Sequence, residues 1–170
     1  MILVTGGTGL LGSRLLFDLT SRGERVRALK RPASNLDTVR RIFSYYSDNP
    51  GELLYRIEWV DTDILDFDTL MYSMQNVRQV YHLAAIVSFD PKDREKLMRT
   101  NVEGTRNVVN ACLTNSVQKL CYASSTASLG NTDQDGFIRE GSLWASERSR
   151  SGYSVSKYNA ELEVWRGIEE

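Results

Sequence analysis

The chain has little of what most hydrolytic and metal-dependent sites are built from. Its 170 residues include one histidine, His82, and two cysteines, Cys112 and Cys121. A Ser-His-Asp or Cys-His machinery would have to run through His82. A zinc site could gather at most those three nitrogen and sulfur ligands, with no C-x-x-C or H-x-x-x-H spacing to seed it. Two sparse cysteines suit a reduced compartment better than a disulfide scaffold. An excess of one charge is missing as well: 21 Lys and Arg stand against 22 Asp and Glu, a formal net charge of -1. That balance gives no electrostatic case for nucleic acid or an anionic membrane as the main partner. No apolar run approaches the roughly 18 residues of a transmembrane helix. Met1-Ile2-Leu3-Val4, followed at once by Thr5-Gly6-Gly7, is too short for the apolar core of a signal peptide. The expectation is a cytoplasmic chain that starts at or near Met1. At 41% hydrophobic residues it can bury the core of one domain over 1–170.

What is present is alternation. Short apolar runs at Ile2–Val4, Val26–Leu29, Ile57–Val60, Val77–Leu83 and Lys119–Ala123 read as five strands, mostly apolar on both faces, as buried parallel strands are. Helix-period segments lie between them. Leu11, Leu15, Leu16 and Leu19 mark the first, with Gly23 as its stop. Ser34-Asn35 reads as a cap before Leu36–Tyr46, Pro50-Gly51 as a break, and Asp66 as the cap of a short helix through Met74. A long helix is expected over 93–114, carrying Leu97, Val102, Val108, Val109 and Ala111, and a last one from Tyr153 onward. Strands alternating with helices give an α/β fold, a doubly wound parallel sheet of about five strands with helices on both faces. Ser128–Gly152 is the one long irregular stretch, of a length that is usually functional or mobile.

The turn after the first strand carries the first chemical signal. Thr5-Gly6-Gly7-Thr8-Gly9-Leu10-Leu11-Gly12 satisfies both Gly7-x-Gly9-x-x-Gly12 and the wider Gly6-x-x-Gly9-x-x-Gly12, between a strand and a helix. Glycines there permit a tight turn and let a pyrophosphate approach backbone N–H groups, while the helix N-terminus adds partial positive charge. Dinucleotide binding is therefore expected in preference to a merely structural turn. At the end of the second strand, an NAD site usually has an acidic residue for the ribose 2′-OH. This chain has Lys30-Arg31-Pro32, which favours the 2′-phosphate of NADP. Ordinary surface charges at a strand exit are the alternative for Lys30 and Arg31, and Ser34 could either help hold the phosphate or simply cap a helix.

The second signal is Tyr153-Ser-Val-Ser-Lys157, whose spacing puts a phenol and an ammonium on one helix face, one turn apart. Bringing a phenol from a pKa of about 10 to near 7 takes roughly 4 kcal/mol, which a nearby cation and the positive end of a cofactor could supply. Alone the pattern is weak. Ser124-Ser125-Thr126 strengthens it, because the cluster follows the fifth strand at the carboxyl edge where doubly wound sheets bind ligands.

Together these motifs resemble the extended short-chain dehydrogenase/reductase family, in its NAD(P)-dependent epimerase/dehydratase and dihydroflavonol-reductase-like branch. The likeness runs through TGGTGLLG (5–12), DILD (63–66), HLAA (82–85), NVEGT (101–105), SSTASLG (124–130) and YSVSK (153–157), in that order. It implies a Rossmann-type sheet of order 3-2-1-4-5. It implies cofactor contacts at Gly6, Thr8, Gly9, Leu10, Leu11, Gly12, Lys30, Arg31, Tyr153 and Lys157, with Asp63 and Ile64 at the adenine and Leu83, Ala84 and Ala85 lining the cofactor. Ser125 would hydrogen-bond the reacting oxygen, Tyr153 would act as general acid–base, Lys157 would lower its pKa and hold the nicotinamide ribose, and Asn101 would steady the proton relay. His82 reads as structural. The aspartates at 61, 63, 66 and 68 lack the glycine and distal glutamate of a calcium loop, so capping and adenine contact account for them and no metal is expected.

Two departures stand out. Gly152 occupies the place where the family often has proline, which would loosen the start of the last helix. Family members also run considerably further, into a C-terminal substrate-binding region expected to be absent from residues 1–170. The expected function is that of an NADP(H)-binding oxidoreductase acting on a small-molecule carbonyl or alcohol carbon. A sugar-nucleotide epimerase or dehydratase using bound NAD is one alternative, and a non-catalytic NAD(P)-binding domain or fragment is another. The resemblance further implies a homodimer through helices 93–114 and 153–170.

Overall fold

A computed structural model describes residues 1–142, 144 and 150–170. In chain order the elements are β1 (Ile2–Thr5), α1 (Leu10–Ser21), β2 (Val26–Lys30), α2 (Asp37–Tyr46), α3 (Pro50–Leu54), β3 (Ile57–Asp61), α4 (Phe67–Ser73), β4 (Gln79–His82), α5 (Arg94–Leu97), α6 (Gly104–Thr114), β5 (Lys119–Tyr122) and α7 (Gly152–Glu169). The five strands are all parallel and ordered β3-β2-β1-β4-β5. The expected strand order and parallel pairing are therefore present.

The chain divides into two compact units, Met1–Ala85 with Asn107–Ala123, and Ile86–Arg106 with Ser124–Glu170. The first holds the sheet. Successive residues of a strand face opposite sides, and β1 divides its apolar side chains accordingly. Leu3 joins Leu70, Met74, Val80, Val108 and Ala111 on the face covered by α4 and α6. Val4 joins Leu16, Leu19, Ala28, Val39 and Phe43 on the face covered by α1 and α2. Cys112 lies in the former cluster, where burial pushes its thiol up to about 12, so it stays a neutral core residue. The edge strands are less apolar than expected: Glu58 of β3 and Lys119 and Cys121 of β5 are exposed, because an edge strand has one uncovered side.

Several local expectations need correction. The fourth strand pairs only over Gln79–His82, since Val77 belongs to the turn that follows α4. Pro50-Gly51 opens α3 rather than breaking the chain, with proline in the first turn, where its missing N–H costs nothing. Leu11 is exposed, in the first turn of α1, and does not join the buried stripe. At α2 the N-cap position falls on Leu36, which has no capping side chain, while Asn35 Oδ1 of the expected Ser34-Asn35 pair accepts from the Asp37 N–H at 2.7 Å.

The expected helix over 93–114, whose residues up to Arg106 belong to the second unit, is not uniform. A 3₁₀ turn at Pro91–Asp93 leads into α5, then a π-helical segment at Met98–Glu103, then α6. Leu97 and Val102 are both buried five residues apart, a spacing that regular α-helix would splay and a π turn aligns. The helix α7 is capped by Ser151, whose hydroxyl accepts from the Ser154 N–H at 3.1 Å. Gly152 does not loosen this start: a Cβ there would sit 3.3 Å from Leu97 Cδ1, so glycine permits close packing on α5. The irregular stretch 128–152 lies partly outside the described residues. Among the described residues no helix is long and apolar enough to cross a membrane.

Candidate cofactor and acid–base sites

The glycine-rich turn is built on close approach. Gly6 has φ of +70°, and a Cβ on it would come within 2.7 Å of the Ala84 nitrogen. A Cβ on Gly12 would overlap the Gly6 carbonyl oxygen and come within 2.8 Å of Gly7 Cα. Gly9 is the N-cap of α1 and so offers no side chain to the first-turn N–H groups of Leu10, Leu11 and Gly12. Those N–H groups and the helix dipole form a place where an anion can be bound without displacing a cap. Leu10 and Leu11 are 73% and 62% exposed beside it, and Thr8 is half-buried. A side chain at Gly6 or Gly12 would collide with backbone, and side-chain-free turns of this kind are what let a dinucleotide pyrophosphate approach main-chain N–H groups.

Thr5 ties this turn to the segment after β4, a role that reading the sequence missed. Its Oγ1 accepts from the N–H groups of Leu83 at 3.2 Å and Ala84 at 3.1 Å and lies 2.7 Å from His82 Nδ1. His82 is fully buried. Leu83 and Ala84 are half-buried and Ala85 is exposed. The signal for Thr5 was its position, one residue before the first glycine.

At the far strands the expected contacts diverge. Lys30 pairs with Asp61, its register partner across β2 and β3, whereas Arg31 is exposed at the strand exit with no ion pair among the described residues. Asp63 is exposed, its carboxylate accepting from the Leu65 N–H at 2.9 Å, but the Ile64 side chain is buried in the core beneath α4 and α6. Asp66 caps α4, accepting from the Thr69 N–H at 3.3 Å. These three aspartates thus have structural partners of their own.

The second unit holds the hydroxyl, phenol and ammonium groups. Ser125 caps the 3₁₀ turn Thr126–Ser128, accepting from the Ala127 N–H at 3.1 Å. Tyr153, half-buried, lies in the first turn of α7 with its ring edge-on to Phe89, centroids 5.9 Å apart. Lys157, one turn later, is 2% exposed. Burial pushes its ammonium down to about 8, and the negative charge of Glu161 opposes that shift. Asn101, in the π-helical segment, is 1% exposed and fully engaged. Its Oδ1 accepts from the Ile86 N–H at 2.8 Å, and its Nδ2 donates to the Ile86 carbonyl at 3.0 Å and to Ser156 Oγ at 2.9 Å. Ser156 in turn donates to the Tyr153 carbonyl at 2.8 Å, so Asn101 is linked to the turn of helix that carries the phenol.

Ser154 and Glu161 were not singled out by the sequence, although both flank Lys157 at helical spacing. Ser154 Oγ donates to the Ala127 carbonyl at 2.5 Å, and Glu161 accepts from Ser124 and Ser128. Asn101, Ser125, Tyr153 and Lys157 therefore lie in one compact unit, on three elements joined by hydrogen bonds.

Comparison with known proteins agrees with this architecture. The sequence profile of the NAD dependent epimerase/dehydratase family matches residues 2–170. A protein of Synechocystis sp. named for dihydroflavonol 4-reductase is 35% identical over 161 residues, covering 95% of this chain and 43% of its own length. Anthocyanidin reductase of Arabidopsis thaliana is 26% identical over 98% of this chain and 51% of its own. Among solved structures, gox2253 superposes with a TM-score of 0.82 at 36% identity, covering 100% of this chain and 48% of its own. MoeE5, solved in complex with UDP-glucose and NAD, has a TM-score of 0.73 at 26% identity, covering 99% of this chain and 49% of its own. The chain spans about half the length of the relatives it matches. By its sheet order, its glycine-rich turn and a profile match over nearly every residue, the chain belongs to the NAD dependent epimerase/dehydratase family.

Proposed function

We propose that this chain is the dinucleotide-binding and acid–base part of an NADP(H)-dependent oxidoreductase acting on a carbonyl or alcohol carbon of a small molecule. The observation that carries the reading is Lys157: a buried lysine is expensive, and one placed a helical turn from a phenol, in a unit with Ser125 and Asn101, has a chemical use. When bound, the nicotinamide supplies the hydride donor or acceptor. Gly6, Thr8, Gly9, Leu10, Leu11 and Gly12 hold the pyrophosphate through backbone N–H groups. Asp63 and the backbone at Ile64 meet the adenine, and Leu83, Ala84 and Ala85 line the cofactor. Ser125 donates a hydrogen bond to the reacting oxygen, and Tyr153 gives or takes the proton at that oxygen. Lys157, as a cation, favours the phenolate and holds the nicotinamide ribose, and Asn101 steadies the relay.

Arg31 supports NADP over NAD, since a free guanidinium can take a 2′-phosphate bidentately. Lys30 gives weaker support, because Asp61 already neutralises it. That pairing favours the second reading, a sugar-nucleotide epimerase or dehydratase that keeps NAD bound. The proposal extends to a cytoplasmic homodimer through 93–114 and 153–170, for which exposed Leu162, Trp165 and Ile168 on α7 offer apolar surface.

Titration with NADPH and NADH, repeated on Arg31→Ala, tests the cofactor. NADPH should bind more tightly, and the variant should lose roughly tenfold or more for NADPH alone, the weight of a charge-assisted phosphate contact. Equal affinities that Arg31→Ala leaves unchanged would sink the NADP reading. A carbonyl panel with the full-length protein tests the chemistry, and failure to oxidise either dinucleotide with any member would sink that.

A further inference from the structure

We propose that Glu161 is a positioning residue, which fixes the Ser124–Ser128 turn, and with it the Ser125 hydroxyl, to the helix that carries Tyr153 and Lys157. The inference rests on the proposed acid–base role of Ser125 and Tyr153 and adds a residue to it. Glu161 lies one turn beyond Lys157 on α7. Its Oε2 accepts from Ser124 Oγ at 2.5 Å and from Ser128 Oγ at 2.8 Å, so one carboxylate oxygen clasps the turn on both sides of Ser125. The two hydroxyl oxygens are 3.1 Å apart, close enough to be drawn together by a shared acceptor. Ser128 is buried and its oxygen also lies 2.7 Å from the Ser125 carbonyl, but it has one proton to give. A carboxylate is the stronger acceptor of the two. Removing it would let Ser128 close on the Ser125 carbonyl and release Ser124 altogether.

The second tie between the same two elements lies on the other side of Lys157, where Ser154 Oγ donates to the Ala127 carbonyl. The turn is thus pinned at Ala127 from one end of the Tyr153–Lys157 stretch and at Ser124 and Ser128 from the other. The carboxylate is also kept ionised. Burial alone would raise it, but the hydroxyls of Ser124 and Ser128, a hydrogen bond from Trp165 and the charge of Lys157 together hold it below the usual carboxylate range. Ionised, it is a stronger acceptor for both hydroxyls than a neutral carboxyl would be.

Glu161→Gln keeps an oxygen acceptor for the serines and removes the charge, whereas Glu161→Ala removes both. In the full-length protein, with the best carbonyl substrate of the panel, Glu161→Ala should lower kcat roughly tenfold to a hundredfold, the cost of a misplaced catalytic hydroxyl. Its KM for the dinucleotide should stay within about twofold, since the clasp touches no proposed pyrophosphate contact. Glu161→Gln should recover most of the lost kcat. The double variant Ser124→Ala/Ser128→Ala leaves α7 untouched and should reproduce the loss, which decides the matter if Glu161→Ala does not fold. Wild-type kcat in the alanine or double-serine variant, or equal loss in Glu161→Ala and Glu161→Gln, overturns the proposal. Amide exchange at Ala127 and Ser128 gives a readout free of turnover. It should quicken in Glu161→Ala and not in Glu161→Gln, and unchanged exchange in both overturns the clasp even if the wild-type protein proves to have no hydride-transfer activity.

Discussion

A lysine at 2% exposure on a half-buried helix face opposes folding at neutral pH, and Lys157 is kept there regardless. Its pKa falls from 10.5 to about 8 on burial. The folded state therefore disfavours the charged form, and between about pH 8 and 10.5 the unfolded chain binds more protons than the folded one. Stability from this group rises with pH across that window and is lowest, by about 3 kcal/mol, below pH 8. Lys157→Met fills similar volume without charge. At pH 7 it should raise the urea midpoint while abolishing turnover, and its advantage should shrink toward zero near pH 10.5. A lower midpoint at pH 7 would mean that Lys157 is stabilised by its partners and is not a cost borne for function. The Tyr153–Lys157 spacing was legible because helix geometry converts four residues into one turn. The burial of Lys157 was not, since it depends on which elements cover α7.

At the scale of elements, the start of α1 is a junction where side chains are excluded. Gly12→Ala must displace backbone, because its Cβ would meet the Gly6 carbonyl and Gly7 Cα. Overpacking of this kind costs about 1–3 kcal/mol, and here it also alters the turn that presents the N–H groups. Gly12→Ala should therefore lower stability and weaken dinucleotide binding together, measured by chemical denaturation and isothermal titration. Gly9→Ala is the comparison: its Cβ would come no nearer than 3.4 Å to the Gly6 carbonyl oxygen, so its cost in stability should be smaller. The glycine spacing announced this junction in the sequence. The expected helix after β4 runs unbroken from Arg94 to Thr114, but one segment of it is not α-helical. Leu97, Val102, Val108 and Val109 fit a single apolar stripe loosely enough to suggest one continuous helix. The gap of five between Leu97 and Val102 is filled by a π-helical segment, which carries Asn101 into the interior.

At the scale of the whole molecule, the glycine-rich turn proposed to hold the pyrophosphate belongs to the sheet-bearing unit, and the hydroxyl, phenol and ammonium groups belong to the other. A dinucleotide that binds the folded chain and not the unfolded one should stabilise it by about 2.7 kcal/mol at a hundredfold excess over Kd. For a chain of this size that corresponds to a rise in Tm of roughly 5 to 10 °C. Thermal scans with and without the preferred dinucleotide should show the rise, and Gly12→Ala should diminish it.

The sequence by itself determined the sheet, its parallel winding and the glycine-rich turn, because short apolar runs, helical spacing and side-chain-free turns are local properties that the chain cannot hide. Only the tertiary structure decided which of the candidate groups are engaged. Lys30 is neutralised across β2 and β3 by Asp61, Ile64 turns into the core, Thr5 holds Leu83 and Ala84 beside the glycine turn, and Glu161 clasps the serines around Ser125. Each of these pairs residues that are between 31 and 79 positions apart or faces a side chain inward, and neither composition nor spacing records which distant groups the packing of layers will bring into contact.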